Sequence, residues 1–439
     1  MAESVLLVGG GGREHALAME MAASPELDDI YCAPGNPGTA EMDKAENVAF
    51  GPSDVSAIVS FARENRKGLT VVVGPEAPLV AGLGDQLRSE NIPVFGPNAD
   101  AAQLEGSKAF ASDFMRRYEI PQPESRIVRS MDEARRAMSG RAPEDVVLKA
   151  DGLAGGKGVV LPSTGAETEQ TLQAMLSGRG FDKAGERGVV IQERLTGPEV
   201  SVFVVSDGQR HSIIPFFAQD HKRRDTGDKG PNTGGMGAYT PVHPEMISER
   251  QFSKIQEIAA RTIDGMADKG APYQGVLYMG LMLAKERSGD PVVIEYNARF
   301  GDPEAEVILP TLTATGVDVY GLLRETAHGS APDLGAPQLA GQAALAVCLA
   351  AEGYPKSPKK GAVIAGLDAN YPNVTIHHGG TKQVGNTIVA AGGRVLYVTG
   401  QGESVGAAAK AAYAAIGKNG IHFAGMHYRT DIGHQARSV

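Results

Sequence analysis

The sequence predicts an α/β chain, α+β in part, divided into three domains: a parallel-sheet domain at the N-terminus, a central domain with a mobile flap, and a small β-rich domain at the end. Three observations support this. Short apolar runs alternate with helix-like stretches from residue 5 to 95. A strand, a glycine loop and a second strand follow one another from Val147 to Val160. Near residue 335 the composition turns to Pro, Ala and Gly before a new strand begins. At 439 residues the chain is too long for one ordinary core.

Taken in order, Val5–Val8, Ile30–Ala33, Thr70–Val73 and Pro93–Phe95 are apolar runs bounded by Gly, Pro and Asn, as strands buried on both faces require. Glu14–Ala23 and Asp54–Glu64 carry helical patterning between them. Such alternation gives a parallel sheet, whose ligands bind beyond the carboxyl ends of its strands; here those loops are Gly9–Arg13, Pro34–Thr39 and Gly74–Pro78. Gly96-Pro97-Asn98 reads as a boundary, so the first domain spans 1–103. Leu104–Tyr118 reads as one helix, with Phe110, Phe114 and Tyr118 at helical spacing. The central domain spans 104–334. Within it, 124–195 is a βαββαβ-like flap, and 198–218 and 275–296 are strand-rich. Ala343–Ala350 opens the strands of the third domain, 335–431, and the tail after Ile432 frays. No internal repeat is visible.

Composition narrows the function. A net charge of −10 counts against a general nucleic-acid binder. Cys32 and Cys348 lie far apart, which argues against a disulfide framework and for a reducing, cytoplasmic setting. No apolar run reaches the roughly 18–20 residues of a membrane span, and Met1 to Val8 lacks the basic region of a leader. The 56 glycines exceed the roughly 31 that average usage gives, which points to tight turns and backbone-lined ligand loops.

The motifs carry the chemistry. Gly9-Gly10-Gly11-Gly12-Arg13-Glu14-His15 follows a strand and opens a helix, but it fails the dinucleotide fingerprint. Counted from Gly9 the third glycine position is Glu14, counted from Gly10 it is His15, and the next strand ends without an acid for a ribose. An anion site of backbone N–H groups with Arg13 beside it remains, against the alternative of a structural turn. In Lys149–Gly158, Asp151 and Gly158 break the Walker A pattern. Four glycines exceed what a hairpin needs and suit a flap that folds its N–H groups over phosphates, while Lys149 is fixed on its strand. The linker Ile191–Glu199 can offer backbone groups to an adenine edge and a carboxylate to a ribose. In Val293–Pro303, Glu295, Asn297 and Arg299 share a strand face. The first two suit a hard cation, Mg²⁺ foremost, and Arg299 faces anions. Ala218–Arg223 and Gly230–Gly237 form a polar, glycine-rich stretch of the kind that carries sites. Zinc is not expected, because His211, His221 and His243 lack partners at metal spacing.

Together these stretches resemble the ATP-grasp superfamily and, within it, the glycinamide ribonucleotide synthetases. The resemblance runs nearly end to end, on GGREHA (11–16), VVGPEAPLVAGL (72–83), QLEGSKAFA (103–111), KADGLAGGKGVV (149–160), QDHKR (219–223), GPNTGGMGAY (230–239), GVLYMGLM (275–282), YNARFGDPE (296–304), AEGYP (351–355), GGRVL (392–396) and YRTDIG (428–433). It implies an ATP-grasp fold with a Rossmann-like N-terminal domain. It implies an ADP-forming carbon–nitrogen ligase of de novo purine biosynthesis: ATP phosphorylates the glycine carboxylate, and the amine of 5-phosphoribosylamine attacks the glycyl phosphate. ATP, glycine and 5-phosphoribosylamine are then the small-molecule partners, Mg²⁺ or Mn²⁺ the metal, and the enzyme a cytoplasmic monomer free of nucleic acid and membrane. Lys108 and Lys149 match the lysines on the ATP phosphates, and Gly155, Gly156 and Gly158 match the lid. Glu193 and Leu195 match the adenine linker through backbone atoms, and Glu199 the ribose carboxylate. Glu295 and Asn297 match the metal ligands, and Arg299, Asp220 and Lys149 are the catalytic candidates. Gly11, Gly12, Arg13, Asn36, Glu76, Asp220, Lys222 and Arg299 are the candidates for binding the two substrates. The chain departs from the pattern at Gln192 and Pro198, where acids are usual, and at Arg194, where an apolar residue is usual.

Overall fold

The computed structural model describes residues 2–155, 158–179, 185, 187–242, 246–335 and 341–437. Its first unit is a five-stranded parallel sheet of β1 (Ser4–Gly9), β2 (Asp29–Pro34), β3 (Ala45–Asn47), β4 (Leu69–Val73) and β5 (Val94–Phe95), in the order β3-β2-β1-β4-β5. Every residue of β1 and β4 is buried, as a parallel sheet covered on both faces demands. The sequence reading passed over β3: its three residues, Ala45-Glu46-Asn47, form an edge strand without an apolar run. The order reverses between β1 and β4, so the loops after Gly9 and Val73 sit at the switch point where such sheets take ligands.

The expected helix over Leu104–Tyr118 is two helices, Ala99–Gly106 and Lys108–Arg117. Ser107 breaks them with extended backbone (φ −141°, ψ 116°), and its hydroxyl caps the second helix by accepting the Phe110 N–H. Asp151 Oδ1 reinforces the break, accepting from Ser107 Oγ at 2.8 Å and Ala109 N at 3.1 Å. Lys108 therefore starts a helix.

Next comes a four-stranded antiparallel sheet, β6 (Ser125–Val128), β7 (Val146–Ala150), β8 (Val159–Val160) and β9 (Val189–Glu193), in the order β6-β9-β7-β8. With the helices Met131–Met138 and Gly165–Leu176 it buries a separate core around Leu148, Leu172, Met175 and Ile191. A unit with its own core can move as a body. The larger central sheet follows the order β11-β10-β16-β17, where β10 is Glu199–Asp207, β11 is His211–Ile213, β16 is Gln274–Ala284 and β17 is Asp290–Asn297. The last sheet draws on two distant stretches. It contains β12 (Gln219–Asp220), β15 (Gly237–Thr240), β18 (Ala343–Ala350), β19 (Val374–His378) and β22 (Arg394–Gly402), ordered β12-β15-β18-β22-β19. The hairpins β13–β14 (Arg223–Asp225, Lys229–Asn232) and β20–β21 (Thr381–Val384, Thr387–Ala390) complete the strands. Among the described residues no helix is long and apolar enough to cross a membrane.

Helix Gly12–Ala22 meets β19 through three histidines. The His15 ring lies 6.0 Å from that of His377 and 5.6 Å from that of His378, and His15 Nδ1 accepts the His378 N–H at 2.9 Å. Burial holds all three neutral, lowering His377 to about 3, His378 to about 4 and His15 well below its ordinary value. The unfolded chain takes these protons near pH 6.5 and the folded chain resists them. Stability is therefore full above about pH 6.5 and falls as the pH drops toward 4, by up to about 1.4 kcal/mol per pH unit per ring. Urea denaturation between pH 7.5 and 4.5 should show this fall, and His377→Gln should shallow it. A flat wild-type profile would contradict the account.

Candidate active site

A cleft of about 800 Å³ opens between the small antiparallel sheet, the central sheet and the loops at the switch point. Its wall at one end is apolar. Leu195, in the linker after β9, packs with Met282, Ala284 and Val292 and against Ile294. Gln192 is buried beside it. Arg194 turns outward, with Nη1 donating to Glu144 O at 3.3 Å. The Glu193 carboxylate accepts from Arg287 at 2.9 Å and from Glu124 N at 3.3 Å, so the face it presents to the cleft is backbone.

Three lysines converge on one carboxylate in the middle. Lys222 Nζ lies 2.9 Å from Glu295 Oε1 and 3.4 Å from Glu199 Oε2. Burial opposes the Glu295 charge, but Lys222, Lys149 and Lys108 outweigh it and bring its pKa down to about 2. Lys149 Nζ donates to Ile294 O at 2.7 Å; burial lowers it to about 8, with Glu295 working the other way. Lys108 donates to Gly152 O at 3.0 Å, tying the first turn of its helix to the root of the glycine loop. Glu295 pairs across the sheet with Gly280, where a Cβ would stand 2.8 Å from Glu295 Cγ; only glycine leaves room for this carboxylate. Of the loop glycines, Gly155 has φ +53° and open space around it, and Gly158 packs against Ala154. Gly156 lies outside the described residues.

Arg299 is fully engaged. Nη2 lies 2.6 Å from Glu105 Oε1 and 3.1 Å from Asn297 Oδ1, Nε lies 3.3 Å from Glu76 Oε2, and Nη1 donates to Phe300 O at 3.2 Å. Asn297 thus turns its amide oxygen to Arg299. Glu105 also accepts the Ala298 N–H at 2.7 Å, and burial, only partly offset by Arg299, raises it to about 7. On the floor, Asp220 is half-buried, and its Oδ1 is buried with no partner among the described residues. Burial and then Glu304 push its carboxyl well above the usual range.

The loop after β1 differs from expectation. The Gly11 N–H and Arg13 Nε both go to Glu14, each at 2.7 Å, so a carboxylate of the chain itself stands at the helix start foreseen for a phosphate. Asn36 caps the helix Pro37–Ala40 and donates to Gly10 O and His378 O, and Gly12 packs under Tyr397. Gly11, Gly12 and Asn36 therefore stand behind the cleft, whereas Arg13 and Glu76 lie on its wall. The sequence reading missed Glu105, Asp302, Glu304 and Arg394 as residues of the cleft. The first three fall inside strings it had singled out, beside lysines and arginines it did assign; Arg394 arrives from the last sheet, with only GGRVL as a signal.

Comparisons with known proteins agree along the chain. Residues 3–105 match the N domain, 106–305 the ATP-grasp (A) domain and 344–435 the C domain of phosphoribosylglycinamide synthetase. The chain is 45% identical to the phosphoribosylamine–glycine ligase of Pseudomonas syringae pv. tomato, over 99% of this chain and 97% of that one. It is 46% identical to the enzyme of that name from Mesorhizobium japonicum, over 99% and 98%. The crystal structure of phosphoribosylamine–glycine ligase from Thermotoga maritima superposes with a TM-score of 0.82 at 33% identity, covering 98% of this chain and all of that one. A biotin carboxylase domain from Hydrogenobacter thermophilus shares the fold at 15% identity, with a TM-score of 0.73 and coverage of 98% and 92%. Matched from its first strand to its last helix, the chain belongs to the phosphoribosylglycinamide synthetase family.

Proposed function

We propose that this cleft joins glycine to 5-phosphoribosylamine with ATP, through glycyl phosphate, as the family relationship implies. The observation that carries the assignment of parts is that Lys108, Lys149, Lys222 and Glu295 line one cleft, with Lys222 2.9 Å from Glu295 and Lys149 bonded to the carbonyl of Ile294. Among the described residues no three His, Cys, Asp or Glu side chains are grouped to hold a metal by themselves. One ionised carboxylate with an adjacent amide oxygen instead suits a cation that arrives on nucleotide phosphates, as Mg²⁺ does. Glu295 and Asn297 would hold that ion, and it would offset phosphate charge.

The chain's own groups do the rest. Leu195 and the linker backbone receive the adenine, and Glu199 the ribose. Lys108 and Lys149 hold the phosphates under the flap. Asp220, whose Oδ1 has no hydrogen-bond partner among the described residues, receives the glycine ammonium, whose charge draws its raised carboxyl pKa back down, and aims the carboxylate at the γ-phosphorus. Attack there releases ADP and leaves an acyl phosphate beside Arg299, whose charge is fixed by Glu76 and Glu105 before the reaction begins. The amine of phosphoribosylamine then attacks the acyl carbon, the C–O bond to phosphate breaks, and the amine proton leaves with the phosphate. Phosphate release should require ATP, glycine and phosphoribosylamine together. Release without the amine, or equal release with bicarbonate in place of glycine, would defeat this reading.

A further inference from the structure

We propose that Arg394, at the start of β22, binds the phosphate of the phosphoribosyl substrate together with Arg13; the inference rests on the function proposed above. Glu14 takes the Gly11 N–H and Arg13 Nε and sets a negative charge at the helix start, so that phosphate calls for cationic donors elsewhere on the cleft wall. Among the described residues five arginines line the cleft: Arg13, Arg194, Arg223, Arg299 and Arg394. Arg194 belongs to the linker after β9 and bonds Glu144 O, and Arg223 belongs to the β13–β14 hairpin and bonds Gly230 O, whereas Arg13, Arg299 and Arg394 gather around Phe300 and Asp302. Arg299 uses all three of its nitrogens on protein partners. Arg394 does not. Its Nη1 alone donates to Gly234 O at 2.6 Å and Asp302 O at 2.7 Å and lies 3.1 Å from Asp302 Oδ1, while Nη2 and Nε have no partner among the described residues. Arg13 engages Nε with Glu14 and Nη1 with Phe300 O, leaving Nη2 in the same condition.

The setting of Arg394 is rigid. Its guanidinium lies 5.7 Å from the centre of the Tyr397 ring, and the Tyr397 hydroxyl donates to Asp302 Oδ1 at 2.5 Å. Asp302 acts electrostatically on Arg13 and Arg394 alike. A guanidinium that lines the cleft and is held by one nitrogen keeps Nε and Nη2 available, an edge that can meet a pair of phosphate oxygens. ATP phosphates have their own cations in Lys108 and Lys149, so the second phosphate-bearing substrate is the one that Arg394 fits.

The test uses the full chain and ribose 5-phosphate as probe. Calorimetry should show wild-type binding of ribose 5-phosphate and none of ribose. Arg394→Met should abolish that binding and raise the KM for phosphoribosylamine at least about tenfold, while KM for ATP and for glycine stay within about twofold. Arg394→Lys should fall between. An unchanged KM for phosphoribosylamine would overturn the inference. An equal rise in all three KM values would also do so, marking Arg394 as a prop for Gly234 and Asp302. Should the Met variant not fold, phenylglyoxal labelling of wild-type protein decides: protection of Arg394 by ribose 5-phosphate supports the site, and unaltered labelling refutes it. Failure of the function proposed above would appear separately, as wild-type protein that binds ribose 5-phosphate yet releases no phosphate with both substrates.

Discussion

Glu295→Ala is expected to lower kcat by about a thousandfold or more, equivalent to about 4 kcal/mol of lost transition-state stabilisation, with the melting temperature nearly unchanged. Both halves follow from the surroundings of the side chain. Glu295 is 36% exposed at its side chain and sits over Gly280, so removing it opens no core cavity. Lys222 loses its 2.9 Å partner but keeps Glu199 at 3.4 Å, so no buried cation is stranded. What disappears is the one carboxylate on β17 that can meet a nucleotide-borne cation. Steady-state turnover in saturating Mg²⁺ and Mn²⁺–ATP binding by electron paramagnetic resonance check the two aspects. Near-normal turnover at high Mg²⁺ would remove Glu295 from the metal site.

Arg299→Met should damage both stability and activity, and the two losses should separate. The guanidinium is the cation for Glu76 and for Glu105, whose side chains are 24% and 8% exposed. Breaking a buried pair from one side costs about 3–5 kcal/mol. Glu105 already titrates at about 7 with Arg299 beside it, and without that charge it rises further. A carboxyl raised in the folded state is easy to bury while protonated and hard to bury ionised. The destabilisation should therefore be larger at pH 8 than at pH 5.5. Adding Glu105→Gln should restore part of the stability at pH 8 and none of the turnover, because the missing charge on the acyl phosphate side remains missing. An Arg299→Met protein as stable as wild type at pH 8 would remove the clamp from the account, and a double variant that regains turnover would remove Arg299 from the chemistry.

The sequence was legible where local pattern and local chemistry coincide. The apolar runs at Val5–Val8 and Ala343–Ala350 could only be buried strands, and both are buried throughout. The two-residue period that put Glu295, Asn297 and Arg299 on one face holds in β17 and just beyond it. Legibility failed where the deciding partner is distant. Nothing near Ser107 announces a broken helix; the carboxylate that reinforces the break belongs to Asp151. Glu14 reads as an ordinary residue in the first turn of a helix until its two oxygens are seen to take up the Gly11 N–H and Arg13 Nε. Arg394 and Glu105 reach the cleft through contacts spanning much of the chain, and a one-dimensional reading has no term for these.

The sheet β12-β15-β18-β22-β19 also bears on how the protein is made. Gly237 pairs with Val347 and Thr240 with Ala344, so β15 leaves the ribosome more than a hundred residues before the strand that covers its edge. Until then its backbone N–H and C=O groups on that side stay open to any passing strand. Synthesis proceeds at roughly 5–20 residues per second, so that exposure lasts several seconds or more on each nascent chain. Translational pausing between Thr240 and Ala343 would lengthen it, and a message truncated in that interval would leave the edge permanently bare. The portion carrying Glu295 and Arg299 is finished early, yet it waits on the last hundred residues for both its shelter and its remaining arginine.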